Sequence, residues 1–409
     1  MPRWLLCVAA AACAPVELAT VSPRPGDANV LPDAMPTFEL SRRANLDDAV
    51  VAWMVWGTDL HEFANQVPLE LLPAHRHWSM NHRVPARLER IDGRTVAVRP
   101  LGPVPAGRMQ HVRITGLGGD PIEVQFRTRR NPLVLAWRTT SYEEVVLATH
   151  CEVDEALRFE RCIEGRANVV PDQAPNPAAI SPSDERRYTY DSEAIVGIEI
   201  NALDAAGNPT DPRIEKRVYG PREIMVERTI ENESGRIESS TVQQVNPRGF
   251  VVDTAEYWGA PLKSALRFGE RREVAPEGHD ALREFRNSDG IEFVVEYEVD
   301  ELGRLQRSVT FRNGSPVGEV ESFEYDNDGR LAARFYGYTT EQDPEEGSME
   351  RLQHDADGFL ARRQFFVEPG DDGTPAWTIT YTHDDDGQLL RTEGTAGEDS
   401  PLNVAVYLP

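Results

Sequence analysis

Phe323-Glu-Tyr325-Asp326-Asn-Asp-Gly329-Arg330-Leu331 is the phrase on which the reading of this chain turns. It returns as Tyr297-Glu-Val-Asp300-Glu-Leu-Gly303-Arg-Leu305, as Leu352-Gln-His-Asp355-Ala-Asp-Gly358-Phe-Leu360 and as Tyr381-Thr-His-Asp384-Asp-Asp-Gly387-Gln-Leu389. The glycines lie 26, 29 and 29 residues apart, and a fixed period of this size marks stacked supersecondary units rather than one catalytic centre. An Asp three places before Gly accepts a backbone N–H two residues on and folds an Asx turn, while Gly supplies the positive φ at the exit.

The flanks alternate with period 2: Phe293, Val295 and Tyr297 lead in, and Leu305, Ser308 and Thr310 lead out. Second turns at Asn313-Gly314, Pro344-Glu-Glu-Gly347 and Pro369-Gly-Asp-Asp-Gly373 close the units. Each unit is two short strands and two turns, too small to stand alone in water, so neighbours must pair. Weaker copies, Asn232-Glu-Ser-Gly235-Arg-Ile237 and Asn246-Pro-Arg-Gly249-Phe-Val251, carry Asn in place of Asp. Asp204-Ala-Ala-Gly207 and Asn287-Ser-Asp-Gly290 keep the turn alone. The expectation is an antiparallel β-hairpin repeat array over residues 185–409.

The phrase Phe323–Leu331 resembles the YD repeat of bacterial RHS-type proteins and animal teneurins. In the large relatives such repeats spiral into a shell around a cargo domain released by self-cleavage. Here the array is too short for that plan, so the resemblance implies a β-rich extracytoplasmic surface.

Charge separates the two halves. Residues 1–130 hold 15 Arg and 13 Asp+Glu, a balance of +2; the whole chain is −25, so residues 131–409 carry −27. Such a field repels phosphate backbones and argues against nucleic acid or anionic lipid as partner of the repeats.

Arg3 followed by the apolar run Trp4–Ala12 reads as a signal peptide over residues 1–12. Ala10-Ala11-Ala12-Cys13 resembles the lipobox of bacterial lipoproteins, which implies a lipid anchor at Cys13; Ala14 in place of Asp resembles sorting to an outer membrane. Residues 13–35 then read as a flexible tether containing Pro and Ser, without periodicity. Cys7 leaves with the signal; with lipid on Cys13, Cys151 and Cys162 can pair as a disulfide with no thiol left over, a metal site on two thiols without further Cys ligands being the poorer alternative.

Short strand-like runs such as Val50–Trp56, Thr95–Pro100 and Ile122–Thr128 alternate with turns and suggest a small sandwich over residues 36–131. Asp92-Gly-Arg-Thr-Val-Ala-Val-Arg-Pro100, Pro105-Ala-Gly107, Thr115-Gly116-Leu117 and Phe126-Arg-Thr128 resemble a bacterial Ig-like domain of the S-layer and adhesin type, in that family a spacer. Residues 132–184 read as a connector with the disulfide hairpin and a Pro-rich linker. The expected fold class is therefore all-β, an N-terminal Ig-like β-sandwich followed by the hairpin array.

Candidates for chemistry are few. His75, His77 and His82 form a close group, with no carboxylate or Cys at ligand spacing beside them. Asp326-Asn-Asp328-Gly329, Asp355-Ala-Asp357-Gly358 and Asp384-Asp-Asp386-Gly387 echo the middle of an EF-hand loop. Its first ligand would fall on Glu324, Gln353 and Thr382 and its twelfth on Phe335, Gln364 and Glu393, so turn chemistry explains the recurrence better than calcium. Tyr336, Tyr338, Phe365, Phe366 and Trp377 present either a sugar-stacking surface or cross-strand packing. No Gly-x-Ser-x-Gly, phosphate-binding glycine loop or His-Glu-x-x-His occurs. The reading is a non-enzymatic cell-envelope lipoprotein, without cofactor, displaying a surface for a protein or glycan. An envelope hydrolase with scattered residues and a secreted, unanchored adhesin are the rivals.

Overall fold

The computed structural model describes residues 16–407, apart from 29, 32–33, 57–82, 102–103, 105–106, 141–142, 169–173, 193, 221–223, 249, 262–264, 276–279, 289, 301–303, 338–346, 368–373, 386–387 and 396–402. Strands dominate it. β1 (Leu18–Ser22), β2 (Thr37–Leu40), β5 (Ala86–Arg90) and β6 (Thr95–Pro100) form one four-stranded sheet in the order β1-β2-β6-β5. β3 (Val50–Trp56), β4 (Arg83–Val84), β7 (Met109–Thr115) and β8 (Ile122–Arg127) form a second, β4-β3-β7-β8. The alternation written in β8, Ile-Glu-Val-Gln-Phe-Arg, is met by alternating burial. Phe38, Trp53, Val96, Val112, Ile114 and Phe126 from both sheets fill one shared core. Side chains of this size each contribute about 1.5–3 kcal/mol when fully buried. Gln110, also fully buried there, accepts from Trp53 Nε1 at 2.9 Å, so the indole N–H is not orphaned.

The remainder is a closed antiparallel barrel. Its strands are β9 (Leu133–Thr140), β10 (Glu143–Val153), β11 (Phe159–Asn168), β12 (Ser181–Asp191), β13 (Ala194–Ala202), β14 (Arg213–Tyr219) and β15 (Met225–Asn232). They continue as β16 (Ile237–Val245), β17 (Val251–Trp258), β18 (Leu266–Val274), β19 (Asp280–Asn287), β20 (Gly290–Val299) and β21 (Leu305–Arg312). The series ends with β22 (Ser315–Tyr325), β23 (Leu331–Gly337), β24 (Ser348–His354), β25 (Leu360–Phe366), β26 (Trp377–His383), β27 (Leu389–Thr395) and β28 (Asn403–Tyr407). Each strand pairs with its neighbours in sequence, and β28 pairs with β9 to close the ring of twenty.

This corrects the fold expected from the sequence. An Ig-like sandwich leading into an open array of hairpins is not the architecture; one closed barrel dominates, and strands in the stretch 132–184 belong to it. The reason is a bulge that the hairpins share. Val299 faces Leu305 while Glu298 faces Arg307, leaving Gln306 extra; Tyr325 faces Leu331 while Glu324 faces Ala333, leaving Ala332 extra. His354–Leu360 and His383–Leu389 repeat the pattern. Each bulge bends its strand and raises the local twist, and a bend repeated at a fixed place curls a sheet until its edges meet.

Apolar packing on both sides holds the seam. Leu133, Ala136, Ile379, Tyr381 and Tyr407 cluster on one face, and Trp137, Ala148, Ala167, Ile180 and Val404 on the other. Closure also removes the exposed edges that an open array would present for aggregation.

Candidate interaction surface

The repeated phrase builds an elbow at one end of the barrel. Asp326 Oδ1 accepts from the backbone N–H of Asp328 at 3.0 Å and of Arg330 at 2.8 Å, and Oδ2 accepts from Arg330 Nε at 2.9 Å. Gly329, at φ +85°, donates its N–H to the Asp326 carbonyl at 2.9 Å. Asp300 takes the N–H and Nε of Arg304 at 2.8 and 2.6 Å. Asp355 takes the N–H groups of Asp357 and Phe359 at 3.1 and 2.9 Å, and Asp384 that of Gln388 at 2.8 Å. Gly358 sits at φ +95°, while Gly303 and Gly387 lie outside the described residues. Burial pushes the Asp326 carboxyl pKa up, but the Arg330 N–H and guanidinium outweigh it and hold the carboxyl below its ordinary range.

One elbow escaped sequence reasoning. Asp154 accepts from the N–H of Ala156 and of Arg158 at 2.8 and 2.9 Å and from Arg158 Nε at 2.6 Å, the same construction. Leu157 stands at the glycine place, at φ +59°, and so hid the match. The surviving signal was the spacing Asp154-x-x-x-Arg158-Phe159, with an apolar residue before it.

Elbows are linked to their neighbours. The guanidinium of Arg304 lies 4.4 Å from the centre of the Tyr325 ring and donates to the Gly329 carbonyl at 3.4 Å, and Tyr325 Oη donates to the Leu305 carbonyl at 2.7 Å. Burial pushes the Tyr325 phenol up. The front unit rests on this rim: Arg130 donates to the Ala156 carbonyl, Asn131 to the Leu389 carbonyl, and Met54 and Met109 pack with Phe250 and Val274.

Both faces of the barrel wall carry charge. Directly paired residues share a face and successive residues alternate. On one face the buried Glu215 accepts from Arg217 Nε at 2.6 Å and Arg228 at 2.7 Å, and Glu270 from Arg272 at 2.8 Å. Glu321–Arg334 and Glu350–Arg363 continue that face. Glu185 with Arg161 and Arg187, Lys216 with Glu231, and Asp253 with Arg286 occupy the other. A membrane-embedded barrel needs an outward apolar band about 25 Å tall. Among the described residues, both faces carry these ion pairs. Among the described residues no helix is long and apolar enough to cross a membrane, which says nothing about strands.

The aromatic candidates are spent on each other. Phe365 stacks on Trp377 at 5.4 Å and 6°, Tyr336 meets Phe365 edge-on, Phe366 is buried, and the guanidinium groups of Arg334 and Arg363 cover Tyr336 and Trp377. Tyr336, Phe365 and Trp377 form a packed cross-strand ladder, while Phe366 lies on the other face opposite Met349. Tyr338, the His75, His77 and His82 group and Cys13 lie outside the described residues. Cys151 and Cys162 do form a disulfide, directly opposite each other on β10 and β11. Among the described residues, no three His, Cys, Asp or Glu side chains gather as a metal site.

Fold and surface define an all-β protein: a charged, closed antiparallel barrel with a smaller two-sheet unit seated on its elbow rim. No protein-family model matches the chain, and no curated protein does. Among solved structures it is similar to a porin-like protein from Bacteroides uniformis, at 9% identity and TM-score 0.28, covering 68% of this chain and 97% of that one. It is also similar to the Tc holotoxin pore of Photorhabdus luminescens, at 12% identity and TM-score 0.21, covering 73% of this chain and 20% of that one. A third likeness is to the S-layer protein rSbsC, at 11% identity and TM-score 0.19, covering 99% of this chain and 64% of that one. Scores this low carry no argument about function.

Proposed function

We propose that the chain is a non-enzymatic binding scaffold of the cell envelope, exported, held at the membrane by lipid on Cys13, and offering its barrel to a protein or glycan partner. One observation carries this reading. The elbow carboxylates that most resemble metal or catalytic ligands are engaged by their own backbone N–H groups and arginines, and the buried glutamates are ion-paired within the wall. Carboxylates so engaged support a structural role for these residues.

The disulfide supports export, since such bonds persist in oxidising compartments. Kinship with YD-repeat proteins belongs to the same proposal and rests on the phrase Phe323–Leu331 and its copies. The charge on both wall faces favours an envelope protein tethered beside the membrane over one embedded in it.

Two measurements test the proposal on the full-length protein made in a lipoprotein-processing host. Mass spectrometry of the mature N-terminus is expected to find an acylated Cys13; an unmodified terminus would make the chain a secreted protein. A glycan and protein binding screen, run with and without calcium, is expected to give a calcium-independent partner. Turnover of an envelope polymer by the purified chain would overturn the scaffold reading.

A further inference from the structure

The front unit meets the elbow rim at points spread around the ring. The chain enters β9 at Leu133. Beside that junction Arg130 donates to the Ala156 carbonyl of the β10–β11 elbow, and Asn131 to the Leu389 carbonyl at the β26–β27 elbow. Met54 of β3 and Met109 of β7 pack with Phe250, at the β16–β17 elbow, and with Val274, at the end of β18. Leu101, which follows β6, comes so near the β22–β23 elbow that a Cβ on Gly329 would lie 3.2 Å from its Cδ2. β3, β6 and β7 belong to the two sheets that share one core, so these anchors are parts of one packed body.

Strand order turns these contacts into a position. It places Phe250 and Val274 nearly opposite β9, with Gly329 on the return side between them and the seam. Anchors that are neighbours around the rim are separated by fewer than half of the twenty strands. Points that leave no half of a ring free enclose its centre, so the front unit lies across the mouth and not beside it. The sizes agree. Twenty strands about 4.8 Å apart make a ring roughly 30 Å wide before tilt widens it, too wide for side chains alone to fill. β3 and β7, seven residues each, run about 23 Å across that opening.

We propose that the front unit is a lid seated across the elbow-rim mouth, which makes the barrel a chamber with one entrance at the opposite end instead of a passage. The anchors named above all lie on the elbow side. The opposite rim, with exposed turns at residues 204–207, 233–236 and 312–315, faces away from them. A molecule that enters the lumen there leaves by the end at which it came.

Successive residues of a strand point to opposite sides of the wall, so one of any adjacent pair faces the lumen. Tyr297 and Glu298 lie at the elbow end of β20, and Thr310 and Phe311 lie toward the opposite end of β21. These two pairs report on the two mouths without a prior assignment of inner and outer face.

The test uses the full chain with its disulfide intact. Tyr297→Cys, Glu298→Cys, Thr310→Cys and Phe311→Cys are made singly. Each thiol is offered a small maleimide, and then a maleimide on a short linker from a carrier wider than the lumen, which reaches only thiols close to an open end. At the elbow end, one residue of the pair is expected to take the small reagent and to lose all reaction with the carrier. At the opposite end both residues are expected to take both reagents. Carrier labelling of both elbow-end thiols would overturn the proposal, and so would its loss from either residue at the opposite end. Small-angle scattering of the wild type decides the matter where a variant fails to fold. A front unit centred on the barrel axis is the expected result, and one displaced to the side of the barrel would overturn the lid.

Discussion

Glu215 and Lys216 are neighbours in sequence and point to opposite faces of the wall, which makes them a test of the whole register. The Glu215 carboxylate is 3% exposed and shared between Arg217, also 3% exposed, and Arg228, 20% exposed. Replacing it by Gln keeps the shape but strips two guanidinium groups of this anion inside the wall. Removing one partner of a buried pair costs about 3–5 kcal/mol, because a charge stays in a low-dielectric site without its balance. Lys216 pairs with Glu231 at 2.7 Å, yet its side chain is 54% exposed, so water replaces the lost contact and Lys216→Gln costs less than about 1 kcal/mol. The assay is urea unfolding of the full chain at pH 7, followed by circular dichroism. Burial pushes the Glu215 carboxyl up, but the Arg228 hydrogen bond and the Arg217 charge outweigh it and leave it lowered from 4.5. Its contribution is then present above pH 4.5 and fades as pH falls through the lowered value, so the gap between wild type and Glu215→Gln closes in acid. Equal costs for the two substitutions at pH 7 would refute the assignment of faces.

Three further outcomes follow from the elbows and the staple. Leu157→Gly is expected to stabilise by about 0.5–1 kcal/mol, since a side chain at φ +59° carries strain that glycine lacks; a fall in Tm would contradict this. Gly329→Ala is expected to destabilise by about 1–2 kcal/mol, because φ is +85° and the new Cβ would sit 3.2 Å from Leu101 Cδ2 and from Arg304 Nη1; chemical denaturation checks it. Reduction of the Cys151–Cys162 bond, which spans 11 residues, is expected to cost about 3 kcal/mol of unfolding free energy, and an unchanged urea midpoint would show that the loop constraint contributes nothing.

Strand content and reversal were legible because they are local. Asp326 reveals its turn through the residues beside it, and Cys parity pairs Cys151 with Cys162 without reference to the fold. Closure was not legible. It depends on the extra residue at Gln306, Ala332 and their equivalents, and a bulge leaves no compositional mark. It depends also on β28 meeting β9 across more than two hundred residues, a pairing no period announces. The wall's ion pairs were hidden for a related reason. Glu215 and Arg228 stand 13 apart, as do Glu321 and Arg334, and Glu350 and Arg363. That recurrence is visible in the sequence only once two strands and a turn are known to lie between.

The same elbows that reverse the strands also explain why the front unit sits at that end. An Asx turn closed on its own carboxylate projects little and leaves its carbonyls outward, as at Ala156, which accepts from Arg130. Glycine at its exit keeps the rim low enough for Leu101 to approach at Gly329, where any side chain would intrude. Phe250, ending the Asn246 elbow, offers an apolar face to Met54 and Met109. These elbows are separated around the ring, so the front unit touches the rim at several places rather than hanging from the chain at Asn131. If that is so, Phe250→Asp should loosen the two parts from each other while leaving the barrel ladder intact. Hydrogen exchange is expected to rise at residues 50–56 and 246–250 and to stay unchanged along β24 and β25. Exchange rising uniformly through the barrel would mean that the front unit is part of what holds the ring closed.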